Sequence, residues 1–308
     1  MEMRKAFAAY LEKAMARNRK ICVLDADLAK ADGTINLRKR YPKRAFDCGI
    51  AEANMACVAA GMATYGFIPF ITSFTPFATR RICDQIAVSI AYGGANVKIV
   101  GTDPGIAAEL NGGTHMSFED MAVLRSIPNM VLFEPTDTTQ LLQALPQIVK
   151  YDGPVYIRMF RKETPDVFTT NNYKLKLFTA DKLRDGKDLS IFTSGLCVAD
   201  CLKAADLLAE KGIRAEVINI HTWKPLDEKT IVKSARKTKA VLTVENHNVM
   251  GGLYSAVCEV LARECPTKAA AVGIRDQFGE VGKLPKLKER YGMTVEDIVA
   301  EALRLLQK

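Results

Sequence analysis

The 308-residue chain is poor in histidine (3) and tryptophan (1), and it contains no apolar run long enough to span a membrane. Its opening, MEMRKAFAAYLEKAMARNRK, has basic residues at both ends but neither a long apolar centre nor a small-residue cleavage site, so it reads as an amphipathic helix and not as a signal peptide. No short-period repeat and no low-complexity tract interrupts it. The eight cysteines are scattered, several inside apolar runs such as ICVL and NMACVAAGM, and this argues against a secreted disulfide framework. Cys197 and Cys201 stand four apart, with no second pair or nearby histidine to complete a zinc site. No metal ligands are assigned to the chain. The pattern is that of reduced, buried thiols, and the expected compartment is the cytoplasm. Net charge is +8, but the one dense basic run, RKRYPKR (38–44), is interrupted by Pro42. Nucleic-acid binding, which needs charge gathered on one face, is therefore not expected. Anionic substrates or an acidic partner account for the charge equally well.

What is present is an alternation of short apolar strands and helical stretches. After a helix over 3–17, strands are expected at 21–24, 45–49, 67–72, 97–101, 130–133 and 154–159. Helical stretches are expected at 51–65, 77–92 and 137–150, and a long glycine-rich loop ends near Met116. Residues 162–187 are polar and turn-rich and read as a linker. The alternation then resumes, with strands at 189–193, 215–220, 240–245 and 269–274, and Gly251–Gly252 opening a helical segment. Thr294 followed by Asp297 resembles a capping box for the last helix. The fold class that follows is α/β: two parallel-type or mixed open sheets flanked by helices, with domains at 1–165 and 188–308 and a linker at 166–187.

Three segments carry candidate chemistry. In GIAEANM (49–55), Glu52 stands at the start of a helical stretch among small apolar residues. A first-turn acid is common there because the helix dipole favours it, but a desolvated carboxyl in that place could also share a proton with a ligand nitrogen. In TSFTPF (72–77), Phe74 and Phe77 are core residues or the walls of a flat slot for a heterocycle. The segment GTDPGIAAELNGGTHMSFEDMAVLRSIPNM (101–130) follows a strand end, where α/β sheets place their sites, and contains His115 in its glycine-rich loop.

Taken together, RAFDCGIAEANM, TSFTPF and NGGTHMSFEDMAVLRSIPNMVLFEPTD occur in the order and spacing of the pyrimidine-binding domain of transketolases. ENHNVMGGLYSAV (245–257) and IRDQFGEVGKLPKLKERYGMT (274–294) resemble the C-terminal domain that these enzymes share with deoxyxylulose-phosphate synthases and 2-oxo-acid dehydrogenase beta subunits. The resemblance implies a thiamine-diphosphate enzyme that moves a two-carbon ketol unit from a ketose phosphate to an aldose. It makes Glu52 the carboxyl at N1′ of the cofactor's pyrimidine, Phe74 and Phe77 the ring pocket, and Asp27 in DADLA an acid at the cofactor interface. His115 becomes the proton-moving or oxyanion-stabilising group beside the substrate carbonyl, which makes Glu52 and His115 the catalytic pair. Arg4 and Arg161 match contacts to the substrate's terminal anion, and Asn111 falls where the family has an Asp that reads donor hydroxyls.

The resemblance also implies departures and an absence. Ala31 stands for a serine near the phosphate, Asp103 for a phosphate-binding histidine, and Arg80 for a third pocket aromatic, a tyrosine. The GDG stretch that holds Mg²⁺ and the diphosphate in this family is missing. Those ligands are expected from an alpha subunit, in an α2β2 assembly that also self-associates through the pyrimidine-binding and C-terminal domains. Ordinary sugar phosphates are the first expected substrates. Branched apulose 4-phosphate or a 6-deoxy-6-sulfofructose is the alternative. A 2-oxo-acid dehydrogenase beta subunit, a deoxyxylulose-phosphate synthase, a piece of a full-length enzyme and a non-catalytic regulatory subunit are the competing readings. The form GIAEANM and the run HMSFEDMAVLRSIPNM favour transketolase, and retention of Glu52 and His115 weighs against a non-catalytic chain.

Overall fold

The computed structural model describes residues 1–169 and 173–307. Six parallel strands form most of the first sheet: β1 (Ile21–Asp25), β2 (Ala45–Asp47), β3 (Ile68–Phe74), β4 (Lys98–Thr102), β5 (Val131–Phe133) and β6 (Val155–Met159). Next in the chain come β7 (Asp181–Arg184), β8 (Leu189–Thr193), β9 (Ala215–Asn219), β10 (Thr222–Lys224), β11 (Ala240–Asn248) and β12 (Lys268–Ile274). All of these but β10 build the second sheet. The strand orders are β10-β5-β6-β4-β3-β1-β2 and β12-β11-β8-β9-β7. The central strands β1, β4, β6, β8 and β9 are buried along their whole length. Helices cover both faces, so these strands read in the sequence as near-continuous apolar runs. The expected α/β class with two mixed open sheets is what the molecule has.

Two strands escape the sequence pattern. β7 lies inside the expected linker and pairs antiparallel with β9 at the edge of the second sheet. The linker's residues 170–172 lie outside the described residues. β10 follows the first half of the second sheet in sequence but pairs antiparallel with β5, at the edge of the first sheet. The chain thus crosses back, and Trp223, 1% exposed, joins a core that also holds Met121, Leu132, Phe192 and Val241 from both halves.

One expected helix is broken. The stretch 77–92 resolves into a single turn at Thr75–Ala78, a 3₁₀ turn at Arg80–Ile82 and a π-helical segment at Gln85–Tyr92. The break falls at Thr79 (φ −133°, ψ −83°), whose hydroxyl bonds back to the Thr75 carbonyl at 2.7 Å. All eight cysteines are free. Cys22, Cys197 and Cys201 are buried as expected, whereas Cys57 is exposed. Burial pushes the Cys22 and Cys201 thiols up to about 12. Among the described residues, no helix is long and apolar enough to cross a membrane.

Arg158 on β6 ties the halves together. Its guanidinium is fully buried, with Asp120 at 2.7 Å and Glu134 at 2.5 Å, and it donates to the Asn246 carbonyl on β11 at 2.9 Å. Two carboxylates around one buried cation are what make its burial tolerable.

Candidate active site

The carboxyl ends of β2, β1, β3, β4 and β6 lie side by side, and the candidate residues other than Arg4, which sits on the helix Met3–Arg17, emerge from them or from the segments that follow. Glu52 opens the helix Glu52–Thr64, where the dipole favours a carboxylate, and it is only 4% exposed. Its Oε1 accepts a 2.6 Å bond from Nη1 of Arg81. The Arg81 guanidinium in turn lies 3.9 Å over the Phe77 ring.

Phe74 ends β3, and Phe77 sits in the turn after it. His115 reaches both rings edge-on, with centroids 5.9 Å from Phe74 and 5.2 Å from Phe77. Its Nδ1 is 2.9 Å from the Thr114 hydroxyl. The Arg161 guanidinium also packs on Phe74, 4.6 Å over the ring. Arg161 is held by Asp103: its main-chain N–H donates to Oδ1 at 3.0 Å and its Nε to Oδ2 at 2.5 Å. A continuous line of contacts therefore runs from Glu52 through Arg81, Phe77, His115 and Phe74 to Arg161 and Asp103.

Arg4 joins this end of the line. Its main-chain N–H donates to the Arg161 carbonyl at 3.3 Å, so the two arginines leave neighbouring backbone. Its Nε bonds Glu2 at 2.8 Å and its Nη1 the Ala31 carbonyl at 2.9 Å. Asp32 is buried behind them and accepts from the Thr102 hydroxyl at 2.8 Å. Its other oxygen finds no partner among the described residues, and burial pushes the carboxyl up to about 7.

Two expected residues stand apart from the line. Asp27 is exposed just beyond β1 with φ 59°, its amide bonded to Asp47 at 3.0 Å. Asn111 is exposed four positions before His115 on the same loop. Among the described residues, neither side chain makes a hydrogen bond to another residue of the site. Arg80, which replaces the third pocket aromatic, does not stack on the rings; it is exposed and pairs with Glu119 at 2.6 Å. The residue that sequence reasoning missed is its neighbour Arg81. Nothing in TRR distinguishes one arginine from the other until the broken helix turns Arg81 toward Glu52.

The family model for the transketolase pyrimidine-binding domain matches residues 1–166, and that for the transketolase C-terminal domain matches residues 179–298. The chain belongs to the transketolase family. It is 48% identical to a 6-deoxy-6-sulfo-D-fructose transketolase subunit of Clostridium sp., over 99% of this chain and 95% of that one. It is 34% identical to one of the subunits of the apulose-4-phosphate transketolase of Phocaeicola vulgatus, over 99% and 97% of the two chains. Among solved structures, a split-gene transketolase described as an inactive beta4 tetramer superposes with a TM-score of 0.91 at 41% identity, covering 99% of this chain and 98% of that one. These end-to-end relatives are pieces of split transketolases, and this chain is a subunit of the same kind. Transketolases are thiamine-diphosphate enzymes, and the site's chemistry fits the cofactor's pyrimidine. A flat cation that donates to Glu52 and stacks on Phe77 has the shape and donor character of an aminopyrimidine ring, and Arg81 already fills that role here.

Proposed function

We propose that this chain supplies the pyrimidine half of a thiamine-diphosphate site in an α2β2 complex. In this reading an alpha subunit supplies Mg²⁺ and the diphosphate contacts, and the complex transfers a ketol unit from a ketose whose far end bears a single negative charge. Bound cofactor supplies the nucleophilic carbon that accepts the two-carbon unit. Glu52 holds and exchanges the proton at the pyrimidine's ring nitrogen, and Phe74 and Phe77 wall the ring. Asp27 faces the cofactor from the β1 end. His115 serves the reacting carbonyl by holding or moving its proton, and Asn111 meets the donor's hydroxyls. Arg4 and Arg161 take the terminal anion. The cysteine pattern supports a cytoplasmic location.

The observation that carries the substrate class is charge balance. Both arginines arrive with a carboxylate attached, Glu2 on Arg4 and Asp103 on Arg161, and Asp103 is only 3% exposed. A phosphate monoester carries roughly −1.5 to −2 at neutral pH. Setting that beside a fixed, poorly solvated carboxylate is costly, whereas a sulfonate brings one charge. Sequence alone puts sugar phosphates first. The Asp103–Arg161 pair and the sulfofructose-acting relative together favour the sulfonated donor.

The test compares kcat/KM for 6-deoxy-6-sulfofructose and xylulose 5-phosphate in the reconstituted complex, with wild-type chain and with Asp103→Asn. The sulfonate is expected to be the better donor. The variant should move the ratio toward the phosphate by about tenfold, the equivalent of ~1.4 kcal/mol. A wild-type preference for the phosphate would overturn this assignment.

A further inference from the structure

We propose that Asn246, in the C-terminal unit, is a positioning residue for catalysis: it fixes the loop that carries His115. The proposal rests on the role given to His115 above. The loop between β4 and the helix Asp120–Arg125 forms no strand pairing of its own; backbone bonds within it, such as the Gly105 amide to the Ser117 carbonyl at 3.1 Å and the His115 amide to the Gly112 carbonyl at 3.0 Å, shape it locally, and contacts from the C-terminal unit hold it in place. Asn246, 3% exposed at the end of β11, spends both functions of its side chain on it. Its Nδ2 donates to the Pro104 carbonyl at 2.9 Å, and its Oδ1 accepts from the Ile106 amide at 2.9 Å. The approach is so close that a Cβ on Gly105, which has φ +57°, would lie 2.2 Å from Asn246 Oδ1. Only glycine fits there.

Three more contacts from the same unit follow the loop toward His115. Glu109, held at φ 47° and ψ −113°, accepts from the Leu284 amide at 3.0 Å. Gly113 packs so tightly on the 278–282 turn that a Cβ would come within 2.2 Å of the Gly279 carbonyl. Past His115, the Asn248 amide donates to the Phe118 carbonyl at 2.8 Å. His115 is thus bracketed by contacts from β11 and from the segment after β12. An asparagine that satisfies one acceptor and one donor of the same turn sets both its position and its orientation. The Asn246 carbonyl is itself bonded by Arg158, so the clamp is anchored to the buried ion cluster behind the site. Misplacement by about 1 Å is enough to cost a catalytic group much of its effect.

The experiment uses the full chain in the reconstituted complex and compares wild type, Asn246→Ala, Asn246→Asp, His115→Ala and the double variant Asn246→Ala/His115→Ala. Asn246→Ala is expected to lower kcat by roughly tenfold or more while leaving half-saturation by thiamine diphosphate unchanged, because Glu52 and its helix are not touched by the clamp. In the His115→Ala background the same change should cost little, since its effect passes through His115. Asn246→Asp, which keeps the size but sets a buried carboxylate oxygen against the Pro104 carbonyl, should lose at least as much as Asn246→Ala. Hydrogen exchange on the chain should show faster exchange of the Ile106 amide and of the segment around Asn111–His115 in Asn246→Ala. Additive losses in the double variant, or unchanged exchange across this segment, would overturn the proposal. If the wild-type complex binds cofactor but transfers no ketol unit from any donor, the functional reading above fails, and the exchange comparison still decides whether Asn246 holds the loop.

Discussion

Glu52 and Asp32 are both buried carboxyls near strand ends, yet their surroundings assign them different work. Glu52 has a cationic partner that is itself 44% exposed in its side chain, so removing the carboxyl leaves Arg81 able to turn to water and not stranded as a buried charge. Glu52→Ala should therefore abolish turnover in the complex while leaving the far-UV spectrum and unfolding midpoint close to wild type. Near-normal turnover would remove Glu52 from the mechanism. Among the described residues no cation is bonded to Asp32, and burial pushes its folded-state value up to about 7 from an ordinary 3.8. Between those values the unfolded chain ionises while the folded chain keeps the proton, so stability is full below the lower value and falls as pH rises through the upper one. Asp32→Asn mimics the protonated acid. Its melting temperature should exceed that of wild type by a margin that grows from pH 4 to pH 7.5, and a margin independent of pH would contradict this. At this scale the sequence reveals residues with a motif around them. Glu52, Phe74, Phe77 and His115 are legible through their spacing and the family resemblance. Arg81 is not, because its role depends on the break at Thr79, and Asp32 is not, because the missing partner of its second oxygen is a three-dimensional fact.

At the scale of elements, periodicity and caps are readable where they are local. The last helix, Val295–Leu306, begins with a reciprocal capping box: the Thr294 hydroxyl accepts from the Asp297 amide, and the Asp297 carboxylate accepts from the Thr294 amide at 2.9 Å. Thr294→Ala should lower the stability of the C-terminal unit by about 1 kcal/mol, read as a lower urea midpoint by circular dichroism. An unchanged midpoint would mean that the cap is dispensable. What stays hidden is non-local. β10 is three residues long and finds its partner β5 some ninety positions earlier, and β7 is an edge strand whose Asp181, Lys182 and Arg184 give no apolar alternation. Neither element has a periodic signal, because each takes its conformation from the sheet it joins.

At the scale of the whole molecule, the two units are neither independent nor equal. The first carries the candidate chemistry at its strand ends, and the second clasps the loop that completes it, through Asn246, Leu284 and Gly279. On the function proposed above the site is one-sided: Glu52 and the aromatic pair would offer a wall for a ring, and the sequence contains no GDG stretch for a diphosphate. On that reading this chain works as one half of a shared site. The most direct measurement is ketol transfer to ribose 5-phosphate, from 6-deoxy-6-sulfofructose and from xylulose 5-phosphate, with thiamine diphosphate and Mg²⁺. It is made with this chain alone and with this chain plus a partner that carries the GDG-type diphosphate domain. Transfer is expected only when both chains are present. Transfer by this chain alone would contradict it.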